Sequence, residues 1–313
     1  MSTSKSSKIY IAGHNGMVGS ACVRMLNSKG YFNLIFLGSK ELDLRDQKKV
    51  ESFISSEKPD IIIDAAAVVG GIWANNEYPY RFLMDNMLIQ NNLIKSAVDN
   101  KVKKFIFLGS SCIYPKLAPQ PLKEEYLLSS PLEPTNQWYA IAKISGVKLI
   151  QAIRKEFGYD YVSLMPTNLY GPNDNFDIKY SHVLPAMIRK FHDAKINDQK
   201  EITLWGDGSP LREFLHVKDL AKAVLFTLEN EVQRSLFNVG SGEEISINEL
   251  ANTVSKIVGF RGSIVWDKSM PNGTPRKLLD STKFSNLGWE SKIPLFEGIN
   301  STYNWYLKNK LAI

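Results

Sequence analysis

The stretch KIYIAGHNGMVGSACVRML, residues 8–26, decides the fold class. A short apolar run ends in Gly13, and two further glycines, Gly16 and Gly19, follow where helical spacing of apolar residues begins. The first glycine permits a tight turn, the second lets backbone approach a pyrophosphate, and the third lets a helix pack close to a sheet. We therefore predict a strand, a phosphate-binding loop and a helix that bind a dinucleotide.

Strand and helix patterns alternate after this stretch. Apolar runs lie at 33–38, 60–67, 103–110 and 160–166, and helical patterns lie at 46–59, 79–100 and 137–157. Continuous apolar strands indicate a parallel sheet that is covered on both faces. We expect an α/β fold: a Rossmann-type doubly wound parallel sheet with a smaller, interleaved C-terminal α/β substrate domain. The cofactor domain is expected over 1–170, with a later contribution near 212–240, and the substrate domain mainly over 171–313.

Composition excludes several classes of protein. The 313 residues are 44% hydrophobic and 22% charged, which is ordinary for a globular protein. No apolar run approaches the ~20 residues of a membrane helix, and the polar start, interpreted as a short disordered lead-in, lacks the apolar core of a signal peptide. Two cysteines predict no disulfide framework, and the net charge of +6 comes without a block of like charges. We expect a cytoplasmic protein without metal, membrane or nucleic-acid partners.

A second cofactor signal ends the next strand pattern, in FLGSKELDL at residues 36–44. NAD enzymes often carry an acid about 20 residues after the glycine loop, where it binds the ribose 2′-hydroxyl. Ser39 and Lys40 stand there, and a hydroxyl and an ammonium suit a 2′-phosphate better than a carboxylate does. Glu41 and Asp43 lie close by, so the pattern favours NADP over NAD without excluding NAD.

The segment YAIAK places Tyr139 and Lys143 four residues apart, on one face of a helix. A nearby ammonium stabilises phenolate, so we expect the pKa of the tyrosine to be lowered. Such a tyrosine can protonate a carbonyl oxygen while a hydride reaches the carbon. Ser110, at a strand end, can hydrogen-bond the same oxygen. The three residues predict a reductase, although the Y-x-x-x-K spacing alone is common by chance.

A cysteine follows the serine pair in LGSSCIYPK, residues 108–116. Cys112 stands at the carboxyl edge of the sheet, where open parallel sheets bind ligands. Most cysteines are small buried thiols, but a thiolate beside a substrate can act as a base. A base at carbon needs an acid opposite, and SHVLPA, residues 181–186, offers His182 in a loop expected over the same pocket.

Eight stretches together resemble the GDP-L-fucose synthases of the extended short-chain dehydrogenase/reductase family. They are IAGHNGMVGSA, AAAVVGGIWANN, FLGSSCIYPK, LEPTNQWYAIAK, MPTNLYGPNDNF, SHVLPA, LREFLHVKD and GTPRKLLD, and the resemblance extends from about residue 8 to 308. It implies conversion of GDP-4-dehydro-6-deoxy-D-mannose to GDP-L-fucose, by 3,5-epimerisation followed by NADPH-dependent reduction at C4. It also implies a homodimer that forms through helices such as 79–100 and 137–157.

The resemblance also implies roles for the matching residues. Ser110, Tyr139 and Lys143 match the reductase triad, while Cys112 and His182 match the epimerisation base and acid. The NADP contacts match Gly13, His14, Asn15, Gly16, Met17, Val18, Gly19, Ser39, Lys40, Leu108, Gly109, Ser110, Ser111, Lys143, Pro166, Thr167, Asn168, Leu169 and His182. The substrate contacts match Lys190, Trp205, Arg212 and Asn272. Asn15, Ser39 and Lys190 stand where some relatives have arginine.

Two other functions remain open at this point. A nucleotide-sugar 4,6-dehydratase or 4-epimerase would share the fold. A dehydratase usually carries an acid pair after the strand-end serine or threonine, whereas Ser111 and Cys112 stand there. A 4-epimerase would retain its NAD and consume none. A non-catalytic NADP sensor would have no need of the Ser-Tyr-Lys set.

Overall fold

Strands and helices alternate through the residues that this computed structural model describes, which are 3–178, 180–270 and 272–309, without the side chain of Ile72. The strands are β1 Ile9–Ala12, β2 Leu34–Ile35, β3 Ile61–Asp64, β4 Lys104–Leu108, β5 Asp160–Pro166, β6 Asn168–Tyr170, β7 Glu201–Trp205, β8 Leu211–His216, β9 Leu236–Val239, β10 Glu244–Ser246, β11 Ser263–Asp267 and β12 Arg276–Lys277. The helices are α1 Met17–Ser28, α2 Gln47–Glu57, α3 Ile72–Glu77, α4 Pro79–Asp99, α5 Gln137–Phe157, α6 Val183–Ile196, α7 Val217–Glu229, α8 Ile247–Val258, α9 Thr282–Ser285 and α10 Leu295–Asn309.

Six strands form one sheet in the order β2-β1-β3-β4-β5-β9, and every pair in it is parallel. The predicted doubly wound parallel sheet is thereby confirmed. Strand order reverses between β1 and β3, and in open sheets of this kind ligands bind in the crevice outside the carboxyl ends at such a point. The strand pattern at 33–38 gives only two paired residues, because the chain turns after Leu37.

Helices bury both faces of this sheet, which explains its continuous apolar strands. Ile9 and Ile11 face the cluster formed with α1 and α7, whereas Tyr10 and Ala12 face the cluster formed with α2, α4 and α5. Among the described residues, no helix combines the length and apolarity needed to cross a membrane.

A second, smaller lobe packs α6, α8 and α10 around their own apolar core. Its strands form β10-β8-β12, with β6 beside β8, and the pair β11-β7. Helix α8 begins with a capping box, in which Ser246 Oγ accepts the Glu249 N–H at 3.1 Å and Glu249 Oε2 accepts the Ser246 N–H at 3.0 Å.

The two lobes are interleaved along the chain. The last strand of the large sheet, β9, follows β6, β7 and β8, and Leu122 bridges to Leu279. The chain start is also tied down, because Thr3 Oγ1 donates to the Leu228 carbonyl at 2.6 Å and Lys5 pairs with Glu229. The expectation of a disordered lead-in is therefore wrong for residues 3–8.

Candidate functional site

The glycine loop joins β1 to α1 where the strand order reverses. Gly13 has φ +77°, and a Cβ there would lie 2.6 Å from the Ala65 carbonyl oxygen. A Cβ at Gly19 would lie 2.2 Å from the Gly13 carbonyl oxygen. Both positions therefore need glycine, one for its backbone conformation and both for close approach.

Helix α1 begins directly after this loop without a side-chain cap. Gly16 is the N-cap residue and donates its N–H to the Gly13 carbonyl at 2.9 Å. The first N–H groups of a helix have no partner within it and bind anions well. Loop and helix start therefore fit the pyrophosphate of a dinucleotide. His14 lies at the edge of this loop, stacked on Phe36 with ring centroids 4.6 Å apart.

The turn after β2 presents Ser39 and Lys40 to solvent. Glu41 folds back, and its Oε2 accepts the Gly38 N–H at 2.8 Å. A Cβ built on Gly38 would lie 3.3 Å from that oxygen and 3.7 Å from Asn15 Nδ2. The expected 2′-phosphate contacts, Asn15, Ser39 and Lys40, thus share their surroundings with a carboxylate.

The reductase residues meet where α5 crosses the end of β4. Lys143 is buried, and its Nζ donates to the Leu108 carbonyl at 2.9 Å. The same Nζ lies 4.7 Å from the Phe107 ring centroid and 5.9 Å from that of Tyr139. Ser110 Oγ accepts the Cys112 N–H at 3.2 Å, so its own proton remains available for a substrate oxygen.

The expected lowering of the Tyr139 pKa is wrong in this structure. Burial raises the pKa, and the negative charges of a Cys112 thiolate and of Asp64 act in the same direction. Lys143 does not offset these effects, since its ammonium group is held on the Leu108 carbonyl. A tyrosine that keeps its proton at neutral pH is suited to act as a proton donor.

Two side chains from other segments contact the Cys112 sulfur. The thiol is half-buried on a single 3-10 turn, Ser111–Ile113, in which Ser111 is buried and Ser110 is the N-cap. Asn136 Nδ2 donates to Sγ at 3.5 Å, and Lys277 Nζ donates to it at 3.6 Å. Both contacts direct hydrogen-bond donors at the sulfur.

His182 is the N-cap residue of α6 and is exposed, although neighbouring groups remove part of the water around its ring. Loss of water around the ring lowers its pKa, and the positive charge of Lys277 acts in the same direction. Lys277 therefore contacts the Cys112 sulfur and also lowers the pKa of His182.

Lys277 and Asn136 were missed by the sequence reasoning. Lys277 ends β12 and lies in register with Arg212 of β8. A buried carboxylate, Glu213, fixes this segment by accepting the N–H groups of Gly242 at 2.8 Å and Leu279 at 3.0 Å. The motif GTPRKLLD contains Lys277, but no local pattern distinguishes it from a solvated lysine.

The expected substrate contacts fall into two groups. In the first, Lys190 Nζ lies 5.9 Å from the Trp205 ring centroid, and Asn272 Oδ1 accepts the N–H of Asp207, two residues after Trp205, at 2.9 Å. In the second, Arg212 lies beside Lys277, and its Nη1 donates to the Leu211 carbonyl at 2.8 Å. Burial lowers the pKa of both Lys190 and Arg212.

The segment 166–169 crosses between the two lobes. Thr167 Oγ1 and Asn168 Nδ2 donate to the Glu213 carbonyl at 3.2 and 2.7 Å, and the Thr167 N–H donates to the Val239 carbonyl at 3.1 Å. These contacts link the large sheet to β8. The expected NADP contacts of Pro166, Thr167, Asn168 and Leu169, like those of Leu108, Gly109 and Ser111, remain predictions.

Comparison with known proteins places this site in a family. Residues 9–240 match the NAD dependent epimerase/dehydratase family. GDP-L-fucose synthase 1 of Arabidopsis thaliana is 57% identical, over 97% of this chain and 94% of its own. GDP-L-fucose synthase of Escherichia coli (strain K12) is 49% identical, over 97% of both chains. A GDP-L-fucose synthetase from Naegleria fowleri, solved bound to NADP, is 29% identical with a TM-score of 0.89, over 99% of this chain and 97% of its own. The chain therefore belongs to the NAD dependent epimerase/dehydratase family and, within it, to the GDP-L-fucose synthases.

Proposed function

We propose that this enzyme converts GDP-4-dehydro-6-deoxy-D-mannose to GDP-L-fucose, by epimerisation at C3 and C5 and NADPH-dependent reduction at C4. One observation carries the epimerisation: the Lys277 ammonium is 3.6 Å from the Cys112 sulfur. A reductase alone needs no thiol with a cation beside it.

The first half of the reaction is proton transfer at carbon. The C4 keto group acidifies the protons on C3 and C5, and the Cys112 thiolate removes each in turn. Between the two centres, Cys112 gives its proton to solvent and His182 takes one up. Ser110 and Tyr139 hydrogen-bond the oxygen on which negative charge develops. His182 returns a proton to the opposite face of each carbon, which inverts the centre. Its lowered pKa makes its protonated ring a stronger donor.

The second half is reduction. NADPH supplies the hydride to C4 when it is bound by the glycine loop, the turn at Ser39 and Lys40, and Lys143. Tyr139 gives its proton to the C4 oxygen, and burial keeps that proton in place until it is needed. Lys143, whose ammonium is held on the Leu108 carbonyl, lies on the same helix face and holds the cofactor beside Tyr139.

The two lobes divide the binding task in this proposal. Residues 1–170, with the contribution near 212–240, hold the cofactor, and residues 171–313 mainly hold the substrate. Arg212 and Lys190 supply positive charge for the diphosphate, and Trp205 supplies an exposed ring for a base or sugar face. Asn272 is held near Trp205, because its side-chain oxygen accepts a hydrogen bond from the Asp207 N–H.

We further propose a cytoplasmic homodimer that forms through α4 and α5. These helices pack on each other and leave apolar side chains between 36% and 73% exposed: Tyr80, Met84, Leu88, Trp138, Ile141 and Leu149. Spacings of three, four and eight residues align them along the outer faces of two adjacent helices. A second copy presents the same stripe and can cover it about a two-fold axis. Light scattering should give twice the mass of the chain, and Met84→Glu with Leu88→Glu should halve that mass while NADPH binding persists; a monomeric parent protein would refute the proposal.

The decisive test mixes enzyme, NADPH and GDP-4-dehydro-6-deoxy-D-mannose, and follows NADPH absorbance, product identity and deuterium uptake from D₂O. GDP-L-fucose with deuterium at C3 and C5 is expected. Cys112→Ser should lose deuterium uptake but bind NADPH, whereas Tyr139→Phe should keep part of the uptake, through Ser110, and lose reduction by about 10²-fold or more. Uptake preserved in Cys112→Ser would contradict the base assignment. Bound NAD without net NADPH consumption would instead indicate a 4-epimerase or a 4,6-dehydratase.

A further inference from the structure

A carboxyl group that the reaction scheme above does not use ends β3. Asp64 is 0% exposed and follows three isoleucines in the strand. Its register neighbours are Ala12 of β1 and Phe107 of β4. Side chains in register on adjacent parallel strands share a face of the sheet, so Asp64 points to the face that α4 and α5 cover.

The hydrogen bonds of Asp64 leave one of its oxygens unsatisfied. Oδ1 accepts the Ala66 N–H at 3.1 Å, whereas Oδ2 has no hydrogen-bond partner in the part of the chain that the structure describes. A buried carboxylate that lacks a partner on one oxygen is destabilising, and an aliphatic residue like those before it would fit the strand at lower free energy. Packing alone therefore does not explain an acid at position 64.

A buried cation, Lys143, lies on the same face of the sheet. Its Nζ lies over Phe107, the register neighbour of Asp64, at 4.7 Å from the ring centroid, and it is 2% exposed. Burial lowers the pKa of Lys143, and the Asp64 charge raises it. The pKa of Asp64 is raised to about 6, because the effect of burial exceeds the opposing effects of the Lys143 charge and the Ala66 N–H.

Among the residues that the structure describes, Lys143 is the cation whose charge acts on Asp64, and the other groups around it are neutral. Tyr10 faces it from β1 and Tyr139 from α5, and Asp64 acts on the pKa of both phenols. The buried polar residues of α4 at this layer, Asn86 and Gln90, are neutral amides. Gln90 is engaged by the Ala142 carbonyl and Ser145 Oγ, at 2.6 and 2.9 Å.

We propose that Asp64 is the buried counter-anion of Lys143 and, through it, a positioning residue for the reduction step. The proposal rests on the function proposed above. Asp64 keeps Lys143 protonated where burial disfavours the ammonium, and it opposes early loss of the Tyr139 proton. Both effects extend the pH range in which the proton donor and its supporting cation carry their protons.

The test compares pH profiles of kcat/KM for NADPH oxidation in the parent enzyme, Asp64→Asn and Asp64→Leu. Without the carboxylate, Lys143 and Tyr139 both lose their protons at lower pH. The falling alkaline limb should therefore move to lower pH by about one unit or more in both variants. Asp174→Asn is the matched control, because Asp174 is also a buried carboxyl with a single backbone N–H partner, from Asn175, and an unsatisfied oxygen. Its alkaline limb should stay in place.

A second readout needs only the cofactor. NADPH affinity can be followed by fluorescence across the same pH range. As the pH rises, the affinity should begin to fall at a lower pH in Asp64→Asn than in the parent. If the sugar is not turned over but this shift is seen, the proposed function fails and the role of Asp64 stands. Superimposable profiles in Asp64→Asn, or a shift in Asp64→Leu alone, would show that Asp64 acts only through its shape.

Discussion

The cofactor loop, Gly13–Gly19, and the thiol cleft, the space around Cys112 and Lys277, are built in opposite ways. The loop is main chain from one short segment, Gly13–Gly19, which is held by close backbone contacts. The cleft is side chains, and its sulfur and ammonium come from Cys112 and Lys277, 165 residues apart. A Cβ added at one of its glycines should therefore disrupt the loop. Substitutions of its other side chains should have little effect. In the cleft, the loss of one charge should damage function while the fold persists.

The largest expected effect comes from the removal of one charge in the cleft. Lys277→Met removes the ammonium beside the Cys112 sulfur and should reduce deuterium uptake at C3 and C5 by about 100-fold, because the thiolate loses its counter-charge. NADPH binding should be unchanged. Lys277→Arg should recover part of the rate. Lys116→Met is the control, since that lysine follows the same loop but pairs with Glu133 at 2.9 Å, and it should change uptake less than about twofold. Equal losses of deuterium uptake in Lys277→Met and Lys116→Met would show that the ammonium beside the Cys112 sulfur has no specific role.

The next effect concerns the loop. Gly19→Ala forces a Cβ to within 2.2 Å of the Gly13 carbonyl oxygen, so the loop must shift. A strain of about 2 kcal/mol corresponds to roughly 30-fold weaker NADPH binding, measured by fluorescence titration. Gly158→Ala is the control: its φ of +70° is also strained for alanine, but no atom lies within 4 Å of the added Cβ. It should lower the melting temperature and leave NADPH affinity intact. Tight binding by Gly19→Ala would mean that the close approach is not required.

The smallest effect tests whether side chains matter at all at the loop. Glu41 places a carboxylate beside Asn15 and the expected 2′-phosphate site. Glu41→Gln should raise the ratio of NADPH to NADH affinity by about threefold to tenfold, because a repulsive charge is removed. Glu51→Gln, the same exchange on the outer surface of α2, should leave the ratio unchanged. A fall in the ratio for Glu41→Gln would show that Glu41 positions the site rather than repelling the phosphate.

This contrast also explains what the sequence could predict. The parallel sheet and the glycine loop depend on local patterns, so the doubly wound parallel sheet and the need for Gly13 and Gly19 could be inferred from them. Cys112 was noticed because it stands at a strand end, and His182 because a base needs an acid. Lys277 was missed, because its place depends on a strand register set far along the chain.

The pKa shifts also depend on contacts that the sequence does not show. The Y-x-x-x-K spacing placed Tyr139 and Lys143 on one helix, but it could not show that Lys143 bonds the Leu108 carbonyl. Nor could it show how strongly burial acts on the phenol, so the expected pKa shift had the wrong sign. Asp64 gave no signal either, since a single acid at the end of an apolar strand resembles the start of a turn.

The position of β9 has a consequence for synthesis on the ribosome. The large sheet cannot be completed until Leu236–Val239 has left the exit tunnel, because these residues pair with β5. Until then the nascent chain carries an apolar strand, Asp160–Pro166, with one open edge. Open apolar edges pair with other chains, so slow translation of the second lobe prolongs a state that is prone to aggregate. A fragment that ends at residue 170 should accumulate in inclusion bodies rather than as an isolated cofactor-binding unit.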